Sequence, residues 1–274
     1  MIYGVDVSHH QGPFDMHRAR AEDFEFAFLK ATEGDGFVDH RFAENLANAR
    51  SAGLLVAAYH YQRAGASAAA QAEHIARIVP TDVPVILDVE AGGGGVELTR
   101  GLLGELVGRG YTCPLLYLPE WYWRRIGEPD LSGFPPLWKS RYPDNRGGAA
   151  SEIYQRVPEH FWNGYGGNHV AVLQFTSQAT VAGTTPVDAN AYLGTRRDLE
   201  NLVQEGTVSA QDVWGAELHL WHGRDPERET MPAGQQLHQA RAYAQLAFDQ
   251  TTELRAQLAG LREALDRRRG DVER

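Results

Sequence analysis

From Met1 to about Val203, short apolar runs alternate with polar, helix-like stretches, and this alternation restricts the fold more than any other feature. Eight strand candidates follow one another at 2–8, 24–31, 54–61, 83–90, 113–118, 136–142, 170–176 and 184–190. Between the early ones, 41–53, 67–80 and 97–110 carry apolar residues at helical spacing, with Ser67 as a cap and Gly53, Pro80 and Gly110 as stops. Repeated strand–helix units of this kind build an α/β barrel of the TIM type. The helical pattern weakens between the sixth and eighth strands. The expectation is therefore an irregular (β/α) TIM-like barrel whose last strands are joined by loops or hairpins.

After residue 204 the character changes. Residues 205–231 read as a linker with a short strand-like stretch, and 232–274 as one long C-terminal helix with Pro232 near its start. Leu237, Ala240, Ala244, Ala247, Thr251, Leu254, Leu258, Leu261 and Leu265 repeat at alternating spacings of three and four. That is a coiled-coil seam, and it predicts a homo-oligomer formed through a helical appendage.

Composition removes several function classes. A net charge of −10 argues against nucleic acid as a partner, because phosphate binding relies on clustered Lys and Arg. No apolar run is long enough to span a membrane, and no signal-peptide pattern opens the chain, so neither membrane insertion nor classical export is expected. The single cysteine, Cys113, excludes an internal disulfide and lacks the partners of a metal or nucleophilic site. Adjacent His9 and His10 would point to opposite sides of a strand, and no phosphate loop is present. No metal or cofactor is expected.

In a barrel of parallel strands the active face lies at the strands' C-terminal ends. Those ends gather Asp6, Ser8, Glu33, Tyr59, Tyr61, Asp88, Glu90, Tyr117, Trp138, Gln174, Asp188 and Asn190. One strand-end acid is ordinarily a turn cap, but acids recur here on strands one, four and eight. Strands one and eight are neighbours in a closed barrel, which places Asp6 beside Asp188. The segment VPVILDVEAGGGG carries two carboxylates to one strand tip, and Asp88 and Glu90, two apart, face the same way. A carboxylate pair in one cleft is the equipment of glycoside hydrolysis, and like charges push their pKa values apart so that one keeps its proton. Glu90, with the longer reach, is the expected general acid. Tyr61, Tyr117, Trp121, Trp123 and Trp138 offer flat apolar faces for sugar rings. The glycines 92–95 either leave room for a polymer or form a plain flexible loop.

These residues resemble the glycoside hydrolase family 25 lysozymes, the Chalaropsis-type muramidases common among bacteriophage endolysins. The resemblance is carried in order by GVDVSHHQG (4–12), FLKATEGDGFVDHRF (28–42), AAYHY (57–61), VILDVE (85–90), LWKSRY (137–142), LQFT (173–176) and VDANAYLG (187–194). It implies a flattened barrel and hydrolysis, with retention, of the β-1,4 bond between N-acetylmuramic acid and N-acetylglucosamine in peptidoglycan. By position it makes Glu90 the general acid and Asp88 the residue that orients the 2-acetamido group or acts as nucleophile. Asp6 and Asp188 match the two further acids of the cleft. Lys139–Ser140 departs from the family's small Ala, and Tyr61 and Tyr192 stand where Phe is common. The setting it implies is a phage endolysin made in the host cytoplasm and acting at the cell wall.

Two other readings stand beside this one. A chitinase-like hydrolase also ends a strand on DxE but carries a further DGxD upstream, where this chain has DVPVIL. A non-catalytic wall-binding or virion structural protein would keep the barrel, yet it has no need of four cleft carboxylates.

Overall fold

The computed structural model describes residues 1–205. Its strands are β1 (Ile2–Val7), β2 (Phe24–Glu33), β3 (Phe37–Val38), β4 (Leu55–Tyr61), β5 (Val85–Asp88), β6 (Leu116–Tyr117), β7 (Leu137–Ser140), β8 (Val170–Val181) and β9 (Thr184–Tyr192). Its helices are α1 (Met16–Ala21), α2 (Phe42–Ser51), α3 (Ala68–Ile78), α4 (Val96–Gly108), α5 (Glu120–Arg125), α6 (Ala150–Tyr154) and α7 (Arg196–Glu205). The linker, the long helix and its self-association, all expected beyond residue 205, lie outside the described residues. Among the described residues no helix is long and apolar enough to cross a membrane.

Eight strands close a ring in the order β1-β2-β4-β5-β6-β7-β8-β9, and β3 is a short addition to the end of β2. All neighbours around the ring are parallel except β9, which runs against both β8 and β1. The β8–β9 connection is one of the hairpins expected among the last strands, but Asp188, expected at the C-terminal end of the last strand, is placed elsewhere, and here the structure corrects the sequence reading. Strand β8 continues to Val181 and turns through Ala182 and Gly183, both at positive φ, into β9. So short a connection joins only antiparallel strands. Asp188 therefore sits in the middle of β9, and the reversed strand still delivers it opposite Asp6.

Side-chain alternation divides the core in two. Phe26, Phe28, Ala57, Ile86, Leu115, Tyr117, Trp138 and Val172 fill the barrel interior. Strand β9 ends beside Ile2, the first residue of β1, so α7 begins at the end of the barrel away from the acids. From there Leu199 and Val203 join the interior cluster and close the barrel floor. Gly4 is required in this interior, because a Cβ there would lie 2.2 Å from the Phe26 ring. The opposite strand faces, including Val5, Leu29, Val85 and Leu87, pack with Leu46, Ile75, Leu102 and Leu106 of the surrounding helices. Helices α2, α3 and α4 fall where apolar periodicity placed them, and the Ser67 hydroxyl accepts the amide of Ala70 at 3.2 Å. Helices α1, α5 and α6 span six, six and five residues, too short for periodicity to register.

Candidate active site

Asp6 is held in a hydrogen-bonded network drawn from several strands of the barrel. Asp6 of β1 is buried, and its Oδ2 accepts Nε2–H of Gln174 (2.9 Å) and Nδ2–H of Asn190 (2.8 Å). Asn190 is in turn fixed by Trp138, whose indole N–H donates to Asn190 Oδ1 at 2.7 Å. Gln174 Oε1 accepts the Tyr142 hydroxyl at 2.6 Å and that of Tyr117 at 3.3 Å. Burial raises the Asp6 carboxyl, the two amides oppose this and Glu90 adds to it, leaving it at about 6. Asp188, its partner in the β1–β9 ladder, is pushed up to about 8 by burial and then by the Asp6 charge.

Asp88 ends β5 on the barrel's inner face and is buried, with its Oδ1 unpartnered among the described residues. Burial and then the Glu90 charge hold its carboxyl well above the ordinary range. Glu90 lies half-buried just beyond the strand; burial raises its carboxyl while Lys30 and Arg63 pull against that. The glycine run is a built turn. Gly92 and Gly94 have φ of +81° and +82°, conformations that favour glycine. A Cβ on Gly93 would lie 2.9 Å from the Glu90 carbonyl oxygen. Gln62 Nε2–H donates to the Gly93 carbonyl at 2.6 Å, and the Tyr122 hydroxyl lies 3.0 Å from the Gly94 amide. Gly93 thus packs tightly against the Glu90 backbone, with no room for a side chain between them.

A cationic wall stands beside these acids. Lys30 donates to Glu33 Oε2 at 3.0 Å, and Arg63 donates to Glu33 Oε1 through Nη2 (2.5 Å) and Nε (2.8 Å). Burial works against the Glu33 charge, but Lys30 and Arg63 overcome it and hold the carboxyl below its usual range. Arg63 also lies over the Tyr61 ring (4.3 Å) and donates to the Ala91 carbonyl (3.0 Å), which the Tyr61 hydroxyl reaches as well (2.9 Å). The Arg63 backbone is gripped on both sides by buried Gln71, which accepts its amide at 2.9 Å and donates to its carbonyl at 3.0 Å. Buried His60, lowered to about 4 by desolvation and so neutral, donates Nε2–H to the same Gln71.

The four acids expected from the sequence, Asp6, Asp88, Glu90 and Asp188, thus act on one another electrostatically in one cleft. Tyr59 is half-buried among them, and burial with the charges of Asp6, Asp88 and Asp188 keeps its hydroxyl protonated. Tyr61 lines the cationic wall, its hydroxyl pushed up to about 12 by burial and Glu90. Gln174 supports Asp6, and Glu33 is occupied by its two cations. Trp138 is 2% exposed and Tyr117 9%, so both form the inner wall and neither presents a free stacking face. Trp123 packs on Tyr165, and only Trp121 of the expected indoles is largely exposed. Lys30, Arg63 and Tyr142 escaped the sequence reading as site residues, whereas Asn190 stood among its strand-end residues. Lys30 and Tyr142 lay inside quoted motifs, so the signal for them was position, while Arg63 sits in a stretch that reads as ordinary loop.

A sequence profile described as "Glycosyl hydrolases family 25" matches residues 5–184. The protein YegX of Escherichia coli O6:H1 is 32% identical over 225 residues, covering 74% of this chain and 73% of that one. Lysozyme M1 of Streptomyces globisporus is 42% identical over 76 residues, covering 27% of this chain and 26% of its own. A family 25 glycosyl hydrolase structure from Bacillus anthracis superposes with a TM-score of 0.58 at 25% identity, covering 73% of this chain and 93% of that one.

Proposed function

We infer that this chain, which belongs to glycosyl hydrolases family 25 and is a lysozyme-type peptidoglycan hydrolase, cuts the β-1,4 bond between N-acetylmuramic acid and N-acetylglucosamine with Glu90 as general acid. The observation that carries this reading is the pair at the tip of β5. Glu90 is half-buried with a raised carboxyl, a shift in the direction that a donor to the leaving oxygen needs. Two residues earlier, Asp88 holds an unpartnered buried oxygen inside the barrel. An amide N–H is the donor such an acceptor lacks, and the sugar's 2-acetamido group brings one. Oriented by Asp88, the acetamido oxygen can attack the anomeric carbon as the glycosidic bond breaks and Glu90 protonates the departing oxygen. Water activated by Glu90 then opens the cyclic intermediate, and configuration is retained. Asp6 and Asp188 shape the charge of the cleft from the opposite wall, and residues 1–204 form the catalytic barrel.

Mass spectrometry of peptidoglycan digested by the protein and then reduced with borohydride tests this. The expected new ends are reduced muramic acid, absent with Glu90→Gln. Reduced glucosamine ends would show that the other bond is cut, and no new ends would favour a wall-binding protein. We further read the biological setting as phage-directed lysis, supported by the likeness of the ordered motifs to endolysin muramidases; finding the protein as a component of mature virions would replace lysis with entry. The heptad seam at 237–265 supports self-association, which a monomeric hydrodynamic size at micromolar concentration would exclude.

A further inference from the structure

His60 is a titratable side chain that the proposed chemistry leaves unused, and it is fully buried. It stands on β4 between Tyr59 and Tyr61, which face the cleft, so alternation turns it the other way, toward α3. Both ring nitrogens have partners. Nδ1 lies 2.8 Å from Oγ1 of Thr32, its neighbour across the β2–β4 ladder, and Nε2 lies 3.0 Å from Oε1 of Gln71. Burial keeps the ring neutral, so one nitrogen carries the hydrogen, and Gln71 decides which. The Gln71 amide nitrogen donates to the carbonyls of Arg63 and Ala66, both at 3.0 Å, which leaves Oε1 to accept from the Arg63 amide and from His60. His60 therefore donates through Nε2, and the Thr32 hydroxyl donates to its bare Nδ1. Every donor and acceptor position of the Gln71 side chain is then filled, which gives that buried amide a single orientation.

This run of bonds from β2 through β4 to α3 ends on residues 62–66, and that stretch is laced to the segment carrying the acid. The Gln62 amide donates to the Asp88 carbonyl (2.9 Å) and the Ala64 amide to the Gly92 carbonyl (2.9 Å). The Gln62 side chain donates to the Gly93 carbonyl (2.6 Å), and Arg63 to that of Ala91 (3.0 Å). These bonds fall on both sides of Glu90. Strand β5 ends at Asp88, two residues short of the acid, and on the β4 side the lacing continues where the ladder stops.

We propose that His60 is a positioning residue for the general acid: by orienting Gln71 it fixes residues 62–64, and through them the backbone on either side of Glu90. This rests on the reading of Glu90 as the acid. The imidazole touches neither the substrate nor the reacting atoms. Its effect falls on the transition state, where the acid must meet the leaving oxygen, more than on binding.

The test compares His60→Gln, His60→Asn and His60→Phe. Glutamine places a side-chain N–H near the position of Nε2, asparagine reaches only as far as Nδ1, and phenylalanine keeps the volume with neither bond. Kinetics on soluble glycan strands are measured well below each variant's melting temperature, and backbone amide hydrogen exchange is followed in the same proteins. His60→Phe and His60→Asn are expected to lower kcat about tenfold with KM little changed, and to speed exchange in both 62–66 and 88–93. His60→Gln is expected to restore much of both. In the Arg63→Met background the loss from His60→Phe should shrink, because the two residues act along one path. Should the phenylalanine variant fold poorly, Thr32→Val removes only the hydroxyl on Nδ1 and should show the same pattern in milder form. A loss carried by KM, equal losses in all three His60 variants, or exchange that quickens evenly over the barrel would overturn the proposal, the last by leaving His60 a role in stability alone. Local exchange that quickens while kcat stays unchanged would also overturn it if Glu90→Gln is inactive. The same result with an active Glu90→Gln would place the failure in the reading of Glu90 and leave the brace standing.

Discussion

Asp6 lies directly opposite Asp188 in the β1–β9 ladder, and the two carboxyls stand at about 6 and about 8. Both lie above the ordinary aspartate value, so between roughly pH 4 and 8 the folded protein holds protons that the unfolded chain has released. Stability from these groups is present at low pH and falls as pH rises through their folded values. Replacing Asp188 by Asn removes the charge that is costly at high pH. Thermal melts should show the variant gaining a few degrees over the wild type near pH 9 and nothing near pH 4. An equal loss at both pH values would mean that the carboxylate serves as a required acceptor.

Lys30 opposes the rise of both Glu90 and Asp88. Without that cation each carboxyl holds its proton to higher pH. Lys30→Met should therefore move the whole pH–activity profile toward alkaline pH, both limbs together. A lowered profile with unmoved limbs would assign Lys30 to structure alone.

Arg63 ties Glu33 to the Ala91 carbonyl, one residue beyond Glu90, with a planar fork that lysine lacks. Loosening this tie lets the acid wander from the glycosidic oxygen, and positioning errors of this kind act mainly on kcat. Arg63→Met should lower kcat about tenfold with KM little changed, and Arg63→Lys should not restore it. A loss confined to KM would instead make Arg63 a substrate contact.

How much of this was legible in the sequence follows from the range of each signal. Short apolar runs reported the strands of the barrel, and the ordered acids on them pointed to one cleft, because those signals are local. Strand direction is not encoded in a short apolar run, so Asp188 was placed at the far end of the last strand although a hairpin was expected there; the mostly polar stretch Ser177–Thr180 hid the extension of β8 that makes that hairpin. Arg63 and Tyr142 were missed because their partners lie on other elements: Glu33 and Ala91 for one, Gln174 for the other. The tryptophans show the converse error. Trp138 has the composition of a sugar platform, but its place inside a narrow barrel turns it into a buried prop for Asn190.

That prop gives the most severe expected loss of stability. Asn190 is fully buried, accepts Trp138 Nε1–H at 2.7 Å and donates to Asp6 Oδ2 at 2.8 Å. Asn190→Ala leaves the Trp138 indole N–H without its acceptor and takes one of the two amide donors from Asp6 Oδ2, in a place where water has little access. Each unsatisfied buried group costs about 1–3 kcal/mol, so the variant should unfold at a markedly lower denaturant midpoint. It should also raise Asp6, since the Asn190 amide is the first of the bonds that hold that carboxyl down. Asn190→Asp separates the two effects. It keeps an acceptor for Trp138 but sets a second carboxyl against Asp6, so its deficit should grow from acid to neutral pH while that of Asn190→Ala persists in acid. Urea titrations of both variants at two pH values decide the matter: matching deficits that do not depend on pH would leave the Asp6 contact without an electrostatic role.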